Sequence, residues 1–208
     1  MTDLNDTMRL LEMVCARLCH DIAGLTGTVG NAIEMALEER DNPDGVLAFA
    51  GSAGKALTQR LRLLRTAWGP DTGPVSIVAL RQLIGGFLDV RRVVLDTAAL
   101  PRNCTFAPDT GRVVLNLILL AADCLPKGGT ISMVGKASDL LVLIDESGSG
   151  WPAYVIDCLN HDTRTIAGSA SAQTVQLPLT VLLARSRGLR LSPVLGPAGI
   201  VALRLGGA

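Results

Sequence analysis

Two histidines and five cysteines are the residues of this 208-residue chain most readily read as nucleophiles or soft metal ligands, and one of them, His20, occupies a revealing position. It falls within Leu18-Cys19-His20-Asp21-Ile22-Ala23-Gly24, where Leu18 and Ile22 belong to an apolar repeat and His20 does not. That register turns His20 to solvent. An exposed neutral imidazole is a good nucleophile at cellular pH, and phosphoryl transfer asks little of its acceptor beyond access and alignment. The plainer reading is a polar residue on a helix surface. A metal site built from Cys15, Cys19 and His20 is geometrically poor, because Cys15 lies on the apolar seam and Cys19 at its edge while His20 points outward. His161, within the polar run Leu159-Asn160-His161-Asp162-Thr163-Arg164, reads as a surface loop residue.

The elements that must present His20 follow from periodicity. From Thr2 to about Arg40 there is no proline, and Leu4, Met8, Leu11, Cys15, Leu18, Ile22, Leu25, Val29, Ala32 and Ala36 recur in steps of three and four. This is a heptad-like seam on a long helix. At 100° per residue, Met13, Ala16, Arg17, Ala23, Gly24, Gly27 and Asn31 share the face of His20. Two glycines inside a helix cost roughly 1 kcal/mol each relative to alanine, and close approach of another protein's backbone would explain them. Arg40-Asp41-Asn42-Pro43-Asp44-Gly45 breaks the helix. A second seam, Leu47, Ala50, Gly54, Leu57, Leu61, Leu64 and Trp68, ends at Gly69-Pro70-Asp71-Thr72-Gly73-Pro74. Helix one carries three basic and nine acidic residues through Asp44, whereas residues 45–68 hold Lys55, Arg60, Arg62 and Arg65 and no acid, so charge favours their pairing. A two-helix hairpin leaves its seams half covered. A homodimer with a four-helix bundle is therefore expected.

Beyond the linker, helical patterns at Val75–Leu88, Asp109–Leu125, Trp151–Leu159 and Val175–Ser186 are interspersed with strand-like runs at Arg92–Leu95, Thr130–Val134, Leu140–Ile144 and, as a pair, Leu189–Leu205. The order predicts an α+β sandwich with helices on one face of a mostly antiparallel sheet. Two domains are expected, residues 1–70 and 74–208. Nineteen basic and nineteen acidic residues balance, which argues against a nucleic-acid binder. The longest apolar run, Val113–Ala122, is about half a membrane span and contains Asn116, and the first residues lack a signal-peptide pattern, so no membrane association and a cytoplasmic location are expected. The odd, irregularly spaced cysteines read as small hydrophobes without disulfides.

The stretch Leu18–Gly24 resembles the H-box of the dimerisation and histidine-phosphotransfer domain of two-component histidine kinases. Val114-Leu115-Asn116-Leu117-Ile118-Leu119-Leu120-Ala121-Ala122-Asp123 with Pro126-Lys127-Gly128-Gly129-Thr130-Ile131 is similar to the N-box region of the kinase ATP-binding domain. Asp145-Glu146-Ser147-Gly148-Ser149-Gly150 resembles the box whose acid binds adenine, and Gln176–Ala184 occupies the place of the glycine-rich box. The departures are as informative: Leu120 stands at the magnesium-binding asparagine, the spacing after Asp145 is one residue too long, and Pro178 replaces flexible backbone. An intact histidine hairpin joined to an eroded, Bergerat-type ATPase lobe resembles the histidine phosphotransferases of the ChpT type.

That resemblance implies a dimeric phosphotransferase in which His20 accepts a phosphoryl group from the aspartate of one receiver domain, on a hybrid histidine kinase, and passes it to that of a response regulator. No cofactor is bound by the chain itself, and Mg2+ comes with the receiver. Asp21 matches the acid that follows the phospho-acceptor in kinases; it either orients the imidazole, acting in acid–base support, or is a helix-surface carboxylate. Arg17 either screens the phosphoryl charge and contacts the receiver or is simply solvated. Ala23, Gly24, Gly27 and Asn31 complete the docking face, and Gly24 and Leu25 stand where kinases with phosphatase activity carry a polar residue and a proline, so little phosphatase activity is expected. The competing readings are an active histidine kinase with an atypical ATP lobe and a catalytically silent dimeric scaffold.

Overall fold

The computed structural model describes residues 4–38, 43–70, 73–145, 150–168, 171–197 and 199–207. Helix α1 (Leu4–Glu38) and helix α2 (Pro43–Trp68) form the hairpin. The two helices cover one another along a single strip, so Ala32, Ala50 and Ala53 are buried at their contact while Leu4, Met8, Leu11, Leu47, Phe49 and Leu61 stay exposed. Cys15, expected on the core seam, is exposed in the single chain, and so is Cys19. A strip of one helix can face only one neighbour, and α2 does not reach the whole seam.

The end of α2 behaves differently. Leu63, Leu64 and Ala67 are buried, and Leu63 and Ala67 join the continuous apolar core of the remaining chain. That core begins at strand β1 (Val75–Ser76), which pairs antiparallel with β3 (Thr105–Phe106). Ser76 caps helix α3 (Ile77–Val90), its hydroxyl accepting from the Ala79 amide at 3.2 Å. The main sheet has the order β2 (Val93–Asp96), β4 (Gly129–Lys136), β5 (Asp139–Asp145), β7 (Gly199–Gly207), β6 (Leu189–Gly196). Only the β2–β4 pair among these is parallel, in keeping with the expected mostly antiparallel sheet.

Helix α4 (Pro108–Asp123) runs through the middle of the molecule, and every residue from Gly111 to Ala122 is buried. From Val113 to Ala122 its sequence is apolar on every side but for Asn116, as a helix covered on all sides requires. Helices α5 (Tyr154–Asn160), α6 (Thr163–Gly168) and α7 (Gln176–Ser186) complete the layer. The short pairing β1–β3 and helix α6 were not legible beforehand; each is too brief to show a period. Between α4 and β4 the turn Pro126-Lys127-Gly128-Gly129 depends on glycine: Gly128 and Gly129 adopt φ of 95° and 148°, and a Cβ at Gly129 would collide with the Asp145 carbonyl.

Candidate functional site

His20 lies midway along α1 with its side chain 86% exposed. Ala23, Gly24, Gly27 and Asn31 are exposed as well. A Cβ built on Gly24 or Gly27 meets no atom of the chain within 4 Å, so nothing inside the protein demands glycine there. The small-residue face predicted around His20 is therefore open.

The two charged neighbours of His20 turn the other way. Asp21 is 12% exposed, and its Oδ1 lies 3.6 Å from His20 Nδ1, beyond hydrogen-bond length. The carboxylate is instead held by two arginines: Arg17 Nε donates to Oδ1 at 3.2 Å, and Arg60 from α2 donates to Oδ2. Burial alone would raise the Asp21 pKa, but the charges and hydrogen bonds of Arg60 and Arg17 prevail and hold it below the ordinary carboxylate value. Arg17 is not simply solvated. Its side chain is 15% exposed, with Nη2 donating to Asp123 at 3.3 Å and Nη1 to the Gln173 carbonyl at 3.2 Å. The helix wheel placed its Cα correctly, yet a flexible four-bond side chain reaches sideways to the acid at the end of α4.

Sequence reasoning missed the partners that make this network. Arg60 is itself only 11% exposed and lies over the Phe87 ring at 4.2 Å; Arg91 covers the same ring at 4.6 Å and donates to Asp123 Oδ1 at 2.8 Å. The charge contrast between the two hairpin helices was the one available signal, and the Arg60–Asp21 pair realises it. Lys55, Arg62 and Arg65 remain exposed, as a solvated basic face would be.

Asn116 on α4 is fully buried and saturated. Its Nδ2 donates to the carbonyls of Ala67 and Arg112 at 2.8 and 2.9 Å, while its Oδ1 accepts from Trp68 Nε1 and Gln176 Nε2, both at 3.0 Å. The residue thus ties the end of α2 to α7 across α4. Near it, a cavity of about 490 Å³ is lined by Leu120, Asp123, Tyr154, Asp157, His161 and Pro178 among others. Its lining carries the carboxylates of Asp157 and of Asp123, the latter paired with Arg17 and Arg91, and among the described residues no lysine or arginine lines it. Burial, together with the Cys124 thiol at 3.5 Å, pushes the Tyr154 phenol upward. Residues 146–149 of the expected adenine box lie outside the described residues. Among the described residues no group of three or more His, Cys, Asp or Glu is placed to hold a metal, and no helix is long and apolar enough to cross a membrane.

Comparison with known proteins fits this architecture. The family described as "Histidine phosphotransferase C-terminal domain" matches residues 79–198, more than half of the chain. The chain belongs to the histidine phosphotransferases. Within that family it is 26% identical to the protein phosphotransferase ChpT of Brucella abortus (strain 2308), over 86% of this chain and 87% of that protein. A solved bacterial phosphotransferase has the same fold, with a TM-score of 0.71 at 19% identity, covering 99% of this chain and 97% of the other. The α+β reading, with a helical hairpin ahead of a lobe of mixed sheet and helices, stands. The matched region of the family starts in α3, so it covers the lobe, and His20 lies outside it.

Proposed function

We propose that this histidine phosphotransferase relays phosphoryl groups between receiver-domain aspartates through His20 and does so without ATP. The observation carrying the proposal is the exposure of His20 on a face that nothing else in the chain covers, with its Asp21 neighbour already committed to two arginines. Asp21 sits on the Nδ1 side of the imidazole, which leaves Nε2 facing outward as the nucleophile. In the forward step the Nε2 lone pair forms a bond to phosphorus, the acyl-phosphate P–O bond breaks, and the donor aspartate leaves as a carboxylate. Nδ1 keeps its proton throughout. In the second step a carboxylate oxygen of another receiver attacks the same phosphorus and the N–P bond breaks, returning the neutral imidazole. Mg2+ belongs to the receiver in this scheme. The cavity supports the ATP-independent reading, since among the described residues its lining offers the carboxylates of Asp123 and Asp157 and no lysine or arginine, and the arginines that reach its edge, Arg17 and Arg91, are paired with Asp123.

Residues 1–70 form the dimerisation and phosphotransfer domain in this proposal and residues 74–208 the lobe. The partners are a second copy of the chain and the receiver domains of a hybrid kinase and a response regulator. The exposed seam residues Leu4, Met8, Leu11 and Leu61 support the dimer, because burying them against another hairpin completes a four-helix bundle.

The test mixes the protein with a receiver carrying aspartyl phosphate and follows acid-labile phosphate on the chain, beside an ATP-only control. Label reaching the wild type from the receiver, absent from His20→Ala and absent with ATP, is the expected result. Labelling from ATP, or receiver-derived labelling of His20→Ala, would overturn it. The substitution leaves folding intact because the imidazole touches little else.

A further inference from the structure

Five charged side chains and one aromatic ring close on themselves next to His20. Arg60 pairs with Asp21, Asp21 with Arg17, Arg17 with Asp123 and Asp123 with Arg91, and the Arg91 and Arg60 guanidiniums both lie on Phe87. The circuit draws members from four helices along the path between the two parts of the molecule: Arg17 and Asp21 from α1, Arg60 from α2, Phe87 and Arg91 at the end of α3, and Asp123 at the end of α4.

Its members are half-buried or better, so each pair acts in a medium less screened than water. Removing Asp123 strips Arg91 of its carboxylate and leaves Arg17 with Asp21 alone, which Arg60 already shares, and Arg60 Nη1 is already buried without a hydrogen-bond partner. Loss of any one link therefore opens the circuit.

We propose that Arg60, Arg91 and Asp123 are positioning residues for phosphoryl transfer: the closed circuit fixes the lobe's α3–α4 edge at one distance from His20, and a receiver that reaches the imidazole is aligned by that edge. The inference rests on the relay reading above. None of the three touches the imidazole, so the intrinsic reactivity of His20 does not depend on them, whereas its alignment with a bulky donor does.

The experiment compares two donors, phosphoramidate, a small molecule that needs no docking, and a phosphorylated receiver. Asp123→Asn, Arg91→Met and the conservative Asp123→Glu are each measured. With Asp123→Asn and Arg91→Met, phosphoramidate labelling of His20 is expected to stay within about twofold of wild type, while kcat/KM for receiver transfer falls at least about tenfold, chiefly through KM. Asp123→Glu is expected to recover most of that loss. Unchanged receiver transfer overturns the proposal, and so does an equal fall with both donors, which would mean a general loss of structure. Amide hydrogen exchange supplies a readout that needs no receiver: the α2 end and α3 should exchange faster in Asp123→Asn with the α4 core unchanged, and identical exchange overturns the proposal. If the wild type accepts phosphate from phosphoramidate but from no receiver, the relay reading falls, and the exchange result still decides whether the circuit holds the lobe.

Discussion

Replacing Asn116 by leucine removes a residue whose four hydrogen-bonding positions are all used, and the consequence can be worked through group by group. Gln176 Nε2 retains the Asn116 main-chain carbonyl and Thr180 Oγ1 at 3.1 Å each, so it is not stranded. The Arg112 carbonyl keeps its place in the α4 helix. The Trp68 indole N–H and the Ala67 carbonyl at the end of α2 do lose their partners, and Ala67 is fully buried. Each stranded group costs about 1–3 kcal/mol, with Trp68 at the low end because it is half-buried, giving about 2–4 kcal/mol in all. For a protein of this size that lowers the melting temperature by about 5–15 °C. Far-UV circular dichroism during heating and urea titration measures it. A double-mutant cycle sharpens the test: Trp68→Phe deletes the indole donor and should cost about 1 kcal/mol in the wild type but close to nothing in the Asn116→Leu background. Additive losses, or a melting point within a degree or so of wild type for Asn116→Leu, would refute the assigned network.

Gly24→Leu and Gly27→Leu should leave folding and phosphoramidate labelling intact, because a Cβ there meets nothing in the chain, yet slow receiver transfer by about tenfold or more through steric exclusion; equal transfer rates would remove these residues from the docking face. Leu61→Glu, on the exposed seam, should shift sedimentation from two chains to one while the circular dichroism spectrum is retained, and a dimer surviving this change would contradict the bundle. Asp21 has a folded-state pKa below its unfolded value, so its stabilising contribution is complete above the unfolded pKa and is lost as pH falls through the folded one. Acid unfolding of the wild type should therefore show a component, centred below the usual carboxylate range, that disappears in Asp21→Asn; indistinguishable acid limbs would rule it out. Gly111→Ala should destabilise by about 1–3 kcal/mol, since its new Cβ would lie 2.8 Å from the Val75 side chain, and an unchanged urea midpoint would show that β1 yields freely.

The long elements and their order were legible because each repeats a period often enough to be read. The α1 seam, the apolar run Val113–Ala122 of α4, the alternation in β4 and the short apolar run of β5 all identify themselves. His20 was found by the same arithmetic, as the residue out of register with its apolar neighbours. What periodicity cannot tell is where a long polar side chain ends. Arg17 and Arg60 both sit on helix faces that solvent could have covered; the lobe covers them instead, through Phe87, Arg91 and Asp123, which lie far away in sequence. Asn116 was visible as the one polar residue in an apolar run, but its role depends on Ala67 and Trp68 reaching α4 from the hairpin. Pairing between distant segments is a tertiary fact, and neither propensity nor spacing encodes it.

Leu120 stands where the resembling kinases place a metal-binding asparagine, and it is now 3% exposed against the core of α4. An asparagine introduced there would exchange a buried apolar side chain of the core for an amide at the wall of the cavity. The neighbouring Asn116 cannot be borrowed, since all four of its positions are spent. Pro178 would have to change too, in a helix that has packed around it. Any redesign of this lobe toward nucleotide binding therefore starts from a helix whose interior positions are already committed to packing and to the Asn116 network.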